Sequence, residues 1–161
     1  MLVNKIPTFT CKLNQMFSKA CEHGIRATIH IAVHSMDGRR VSLKEIAREV
    51  GSPEAFTAKI LQQLVRAGVV HSVKGAGGGF EMDEKQLDDT SLSQIVRAID
   101  GTHLFEACGL GLKACNARQP CPVHHEFKVV RDGLRDMLEN TNIRKLSEEY
   151  RDGLTFLKVS N

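Results

Sequence analysis

Apolar residues recur at spacings of three and four along much of the chain, and this period predicts a mainly helical fold. The first such stretch predicts one amphipathic helix over residues 17–36, with Ser18 as its N-cap. Residues 1–15 show no clear period, and we expect them to form a loose extension. Met16 is therefore a second candidate, beside Met1, for the start of the protein.

The next two helical stretches are short and lie close together. The first begins with a capping-box pattern from Ser42 to Glu45 and ends at Gly51. The second opens with Pro53 at its first helical position and runs through Arg66. Two short helices joined by a tight glycine turn are typical of the helix-turn-helix unit, whose second helix can enter a major groove of DNA.

A change of period then predicts a β-hairpin, with strands over 69–73 and 80–82 and a glycine-rich turn over 74–79. This hairpin would be the wing of a winged helix-turn-helix. The turn lacks the Gly-Lys-Ser/Thr ending of a phosphate-binding loop and does not open a helix, so we exclude nucleotide binding. We expect Lys74 at the wing tip to approach a DNA backbone or minor groove.

Three further helices are predicted beyond the wing, and the first two are one over 92–99 and a longer one after residue 122. Apolar residues of the longer helix alternate at spacings of four and three, which is typical of a seam between paired helices. They are Val123, Phe127, Val130, Leu134 and Met137. A small domain has little core left to cover them, so we expect a dimer joined by this helix. A shorter helix near 143–150 follows.

Composition places the chain among ordinary globular proteins. It has 161 residues, of which 42% are hydrophobic and 25% charged, enough for one domain with an appendage. No run reaches the length of a membrane span, and the polar start lacks the apolar centre of a signal peptide, so we expect a cytoplasmic protein. Seven Lys or Arg against three Glu between residues 39 and 74 fit a segment that faces phosphates.

A segment without helical or strand period carries the most specific chemistry. Cys108, Cys115, Cys121 and His124 lie within seventeen residues, at spacings of seven, six and three. Three soft ligands on a flexible loop suit an iron-sulfur cluster or a zinc ion, because the backbone must curl to aim each sulfur inward. A fourth ligand would come from His124, His125, elsewhere in the chain or a second subunit. In a reducing cytoplasm, disulfides are the less favoured interpretation.

Two other patterns bear on function. His30 and His34 lie four residues apart on the first helix, a spacing compatible with metal binding, but without a third ligand nearby we expect solvated or partly packed histidines. The chain also lacks a Cys-x-x-Cys pair, a cofactor fold and a set of catalytic bases, so we do not expect an enzyme.

The order of these motifs resembles a known family. The motifs are Ser42-Leu-Lys-Glu-Ile-Ala, Ser52-Pro-Glu-Ala-Phe-Thr-Ala-Lys-Ile-Leu-Gln, Val73-Lys-Gly-Ala-Gly-Gly-Gly-Phe80 and the three-cysteine loop. Residues 16 to about 150 thereby resemble the bacterial winged-helix regulators that include the iron-sulfur cluster assembly regulator and the nitric-oxide-sensitive repressor. The resemblance implies a homodimer with two winged heads on a roughly palindromic operator.

The resemblance also implies roles for individual residues. Cys108, Cys115 and Cys121 would bind a 2Fe-2S or 4Fe-4S cluster, with His124, or Glu22 of the partner subunit, as fourth ligand. Within each head, one group would approach base edges: Glu54, Ala55, Thr57 and Lys59. A second group would contact phosphates: Arg39, Ser42, Lys44 and Lys74. Dimer contacts would come from Phe127, Val130, Leu134 and Met137.

We therefore expect a mainly α fold with a small β-hairpin wing, built as a winged helix-turn-helix plus a long dimerisation helix. Its parts would be an extension (1–15), the DNA-binding domain (16–101), the cluster-binding loop (102–122) and a dimerisation helix with tail (123–161). The expected function is a transcriptional regulator, a repressor, that senses redox state, nitric oxide or cluster supply. The alternative is a zinc-stabilised or cluster-free DNA-binding protein that responds to a small molecule or a partner protein.

Overall fold

The computed structural model describes residues 16–157, so the extension predicted over 1–15 lies outside the described residues. The described chain is mainly helical with one two-stranded hairpin, which confirms the predicted fold class. Its elements are α1 (Lys19–Met36), α2 (Leu43–Val50), α3 (Glu54–Arg66), β1 (His71–Val73), β2 (Gly79–Glu81), α4 (Glu84–Asp89), α5 (Leu92–Asp100), α6 (His103–Glu106), α7 (His124–Asn140) and α8 (Ile143–Arg151).

Helix α1 lies at the centre and packs against α2, α3, α5 and α8. Ser18 caps it as predicted, because its side chain accepts a hydrogen bond from the Cys21 amide at 3.1 Å. The same serine binds Asp100 at the end of α5, where the Ser18 amide donates to a carboxylate oxygen at 2.9 Å. At Gly24 a Cβ atom would lie 2.2 Å from Cδ1 of Ile99, so glycine lets α1 and α5 cross closely.

The helix-turn-helix forms as expected, with a shift of one residue at its second helix. Gly51 turns the chain in the left-handed region, with φ at 69°. Helix α3 then begins at Glu54, with Pro53 as its N-cap and not as its first helical residue. Pro53 has an extended ψ of 138°, and its carbonyl accepts hydrogen bonds from both the amide and the hydroxyl of Thr57.

The wing is an antiparallel pair in which Ser72 lies opposite Phe80. Val41, just before α2, bridges the outer side of Phe80 through two backbone hydrogen bonds of 3.0 and 2.8 Å. A Cβ atom on Gly79 would lie 2.7 Å from the Val41 carbonyl oxygen, and φ there is 152°. The end of the glycine run therefore serves close backbone packing at the base of the wing.

Beyond the wing, helices α4 and α6 were not predicted from the sequence, and α6 lies within the predicted loop over 102–122, whereas α8 is the helix predicted near 143–150. Helix α4 fills the link after the wing, and it begins with a capping box between Asp83 and Gln86. Helix α8 returns to α1, where Ile143 is fully buried in the main core. The predicted tail thus contributes a helix to the core of the winged domain. No helix within residues 16–157 is long and apolar enough to cross a membrane.

A second, smaller core joins α7 to the rest, and its buried members are Cys21, Val96, Phe105 and Leu138. We expect Leu138→Ala to lower the free energy of unfolding by about 2–5 kcal/mol, because Leu138 is 0% exposed and its removal leaves a cavity. Urea denaturation measures this loss. Asp136→Ala, at an exposed position of the same helix, is the control and should change stability by less than about 0.5 kcal/mol. Equal effects of the two variants would contradict the role given to this core.

Candidate functional site

The cysteine loop lies between α6 and α7, and it places the four predicted donors in two close pairs. No three of these four described donors lie within 4.8 Å of one another. The sulfurs of Cys108 and Cys121 are 3.9 Å apart. The sulfur of Cys115 lies 3.4 Å from Nδ1 of His124. His124 is the first residue of α7 and only 5% exposed, so the helix holds its ring against the loop.

The backbone of the loop favours a thiolate at Cys108. Hydrogen bonds from the backbone at Leu110 and Leu112 are the main cause that lowers the pKa of Cys108, and contact with Cys121 and the charge of Arg131 add to it. The thiolate is the form of cysteine that binds metals. The turn that aims these amides includes Gly111, whose φ is 70°. The sequence pattern showed the cysteines but not the backbone hydrogen bonds from Leu110 and Leu112 to Cys108.

Two arginines of α7 hold the start of the loop. Arg131 donates to the carbonyl of Ala107 at 2.9 Å, and the same nitrogen lies 3.5 Å from the sulfur of Cys115. Arg135, one turn later, donates to the carbonyl of Phe105 at 2.8 Å. Sequence reasoning missed both residues, although their i, i+4 spacing beside the apolar seam was visible.

The loop also touches the face predicted for dimerisation. At Gly109 a Cβ atom would lie 2.4 to 2.6 Å from three ring atoms of Phe127, so the loop backbone rests directly on this ring. Large apolar side chains continue along the exposed side of α7. They are Phe127, Val130 and Met137, and Val130 is 69% exposed. Val129 is also exposed, at 73%, but it lies only two residues after Phe127 and therefore on another side of the helix. Leu134 is half-buried and packs on the small core instead.

The second candidate for the fourth ligand lies elsewhere in the chain. Glu22 is in the first turn of α1, and its carboxylate forms an ion pair with Lys19 at 2.6 Å. Within residues 16–157 it makes no hydrogen bond to a loop cysteine. The remaining described cysteine, Cys21, is fully buried, and burial together with Asp100 raises its pKa to about 12. Cys21 is therefore a core residue and not a ligand.

Most residues predicted to face DNA are on the surface. The exposed ones are Arg39, Ser42, Lys44, Glu54, Ala55, Lys59 and Lys74. A groove of about 640 Å³ runs between α2 and α3, and it is lined by Ser42, Lys44 and Glu54 together with Arg48, which the sequence analysis did not single out. Thr57 is the exception, because it is 1% exposed and its hydroxyl donates to the Pro53 carbonyl. Its predicted contact with a base edge is therefore not supported.

Comparisons with known proteins agree with this architecture. Residues 17–149 match the Rrf2 family, described as an iron-dependent transcriptional regulator. The chain belongs to the Rrf2 family. It is 31% identical over 133 residues to an HTH-type transcriptional regulator of Aquifex aeolicus, covering 81% of this chain and 90% of the other. It is 25% identical to the transcriptional regulator IscR of Pectobacterium atrosepticum, covering 77% and 74% of the two chains.

Solved structures show the same fold. The structure of CymR, the global cysteine regulator of B. subtilis, superposes with a TM-score of 0.67 at 22% identity, over 82% of this chain and 95% of CymR. IscR of T. potens superposes with a TM-score of 0.65 at 20% identity, over 88% and 92% of the two chains. This Rrf2 protein is therefore a winged-helix transcriptional regulator and not an enzyme.

The two cysteine environments predict opposite reactivity in metal-free protein. Alkylation follows the thiolate fraction, so the rate at Cys108 should rise with pH around a midpoint below the ordinary pKa of a thiol. Cys21 should stay unmodified until pH approaches 12 or the protein unfolds. Peptide mapping after timed iodoacetamide labelling across a pH series measures both. A labelling midpoint for Cys108 at or above the ordinary pKa of a thiol would contradict the role given to the backbone amides of Leu110 and Leu112.

Proposed function

We propose that this Rrf2 protein is a cytoplasmic, homodimeric repressor whose operator binding is controlled by an iron-sulfur cluster held by its cysteine loop. The observation that carries the proposal is the pairing of donors, Cys108 with Cys121 and Cys115 with His124, at 3.9 and 3.4 Å. Backbone amides directed at the Cys108 sulfur support it, because such hydrogen bonds to cluster sulfurs are one way in which proteins tune these centres.

The residues present fit a two-iron cluster best. A 2Fe-2S cluster has two irons, and each iron takes two protein ligands. Four donors arranged as two close pairs therefore suit this cluster better than four donors that lie apart from one another. Cys108 and Cys121 would then serve one iron, and Cys115 and His124 the other. When bound, such a cluster supplies a centre that changes oxidation state and reacts with nitric oxide. The protein's own residues must convert that change into altered DNA affinity.

The link to the dimer runs through α7. Arg131 contacts both Cys115 and the loop backbone, so it follows any shift of this cysteine. Gly109 rests on Phe127, whose ring belongs to the exposed apolar face. We infer that a second copy of the chain covers this face, because several large apolar side chains there are otherwise exposed to water. A change in the loop then alters the packing of the two α7 helices.

The DNA side depends on the spacing between the two heads. Operator half-sites lie about one helical turn of DNA apart, so a small change at the dimer helix alters how well both α3 helices fit. Ser42, Lys44 and Lys74 are exposed and suited to phosphates, while Glu54, Ala55 and Lys59 on α3 are suited to base edges. Arg48 joins the first group, because it is exposed along the same groove.

A spectrum of protein purified without oxygen, with iron and sulfide analysis, tests the cluster. We expect the wild type to be coloured and to carry iron and sulfide, whereas the variant Cys108→Ala, Cys115→Ala, Cys121→Ala should be colourless. Cys11→Ala, which removes a cysteine outside the loop, is the control and should keep the colour. A wild type that carries only zinc, or that stays colourless after reconstitution, would instead support the zinc-stabilised or cluster-free regulator.

The same spectra identify the fourth ligand. His124→Ala should lose or alter the visible bands, because its ring nitrogen lies beside the Cys115 sulfur. Glu22→Ala should leave them unchanged, since its carboxylate pairs with Lys19. If the visible bands changed in Glu22→Ala and not in His124→Ala, the result would place Glu22 of the partner subunit at the cluster and would contradict the assignment of His124.

The salt dependence of operator binding tests the DNA surface. We expect Lys44→Ala to weaken binding to any duplex and to reduce the slope of log affinity against log salt by about 1, because one phosphate contact is lost. Fluorescence anisotropy with a duplex selected from a random pool provides the measurement. The control is Lys145→Ala on α8, where the lysine is exposed and lies beside Glu149. A slope that does not change in Lys44→Ala would remove this lysine from the contact surface.

A further inference from the structure

A second set of metal-binding side chains lies in the winged domain, away from the cysteine loop. His30 and His34 are one turn apart on α1, with ring centroids 4.6 Å apart and nearly perpendicular planes. Glu45, on α2, completes the set. One possible ligand atom from each of these three residues lies within 4.8 Å of the others, the one such group of three found among residues 16–157.

Within the described chain, one histidine of this set, His30, lacks a partner that a buried ring usually has. Nε2 of His30 is buried and has no hydrogen-bond partner among the described residues. Buried polar atoms are normally hydrogen-bonded, so the unpaired nitrogen leaves His30 able to bind a ligand beside a second imidazole and a carboxylate. Taken as whole residues, all three are half-buried, so the group lies near the surface of the head.

The protonation states suit a metal ion. Burial is the main cause that lowers the pKa of both His30 and His34. The charge of His34 lowers the pKa of His30 further, and the charge of Arg39 lowers the pKa of both rings. The lowered pKa favours the neutral imidazole, which is the form that binds metals. Hydrogen bonding from Arg39 lowers the pKa of Glu45, which keeps it ionised. Glu49 and Asp37 are the other acidic groups that act on these rings.

We propose that His30, His34 and Glu45 bind a divalent transition-metal ion of the zinc class in the DNA-binding head. Two imidazoles and one carboxylate form a donor set that zinc accepts, with a fourth position left for water. Two histidines at i and i+4 on one helix face bind one ion in other proteins, because helix geometry aims both rings the same way. The site uses no residue of the cysteine loop and does not depend on the proposed cluster.

The ion would compete with an ion pair. The Glu45 carboxylate now accepts two hydrogen bonds from Arg39, at 2.8 and 3.3 Å. A metal ion that takes a Glu45 oxygen weakens this pair, so removal of the Arg39 charge should strengthen metal binding. This relation distinguishes a site that includes Glu45 from one made by the two histidines alone.

Zinc titration of the full chain tests the site. In the background Cys108→Ala, Cys115→Ala, Cys121→Ala, which removes the loop thiols, competition with a chromophoric chelator should reveal one equivalent of bound Zn²⁺. His34→Gln should weaken it by on the order of 100-fold or more, since loss of even an outer-shell partner weakens metal binding 10–100-fold. His71→Gln, at an exposed histidine in the wing, is the matched control and should not change the affinity.

Two further arms complete the test. Glu45→Gln should weaken zinc binding, and Arg39→Gln should strengthen it several-fold. The site would be overturned if zinc bound only at millimolar concentration, or if His34→Gln and His71→Gln had equal zinc affinities. Weaker zinc binding in Arg39→Gln would show that Glu45 is not a ligand. Circular dichroism checks folding. If the cysteine background is unstable, wild-type protein should bind one equivalent of zinc more than His34→Gln, and equal stoichiometry would overturn the proposal.

Discussion

The close crossing of α1 and α5 at Gly24 is the constraint on which the rest of the structure depends. With hydrogen as its side chain, this residue lets Ile99 pack directly on the α1 backbone. Ser18 and Asp100 fix the same two helices at their ends. The pair then supports α3 on one side and α8 on another, so the DNA-facing helices and the base of α7 share one rigid support.

Local chemistry made part of this structure predictable. Ser18 and Ser42 cap α1 and α2 because a short side chain that accepts an amide acts within three residues. The capping box of Asp83 and Gln86 that starts α4 is equally local, but this segment lacks the apolar stripe from which a helix is predicted. The wing was predictable because glycines and alternating residues mark a hairpin within the sequence.

Other features depend on contacts between distant residues, and no period reports them. Thr57 is different, because it lies three and four residues before the buried Ile60 and Leu61 and therefore shares the core-facing side of α3. The pairing of Cys108 with Cys121 follows from the path of an irregular loop and the arginines that hold it. Glu45 follows His34 by eleven residues in the sequence. It lies close to the two histidines only because α2 folds back along α1.

Helix α7 is held at both ends by different parts of the protein. Its first residue, His124, lies against the cysteine loop, and its last turn carries Leu138 into the small core. The next helix, α8, is anchored in the main core through Ile143. The seventeen residues of α7 span about 25 Å, so the helix connects the small core at its C-terminal end with the cysteine loop at its N-terminal end. A small change in the angle of α7 at its core end therefore produces a larger sideways displacement at the end that contacts the loop, as in a lever.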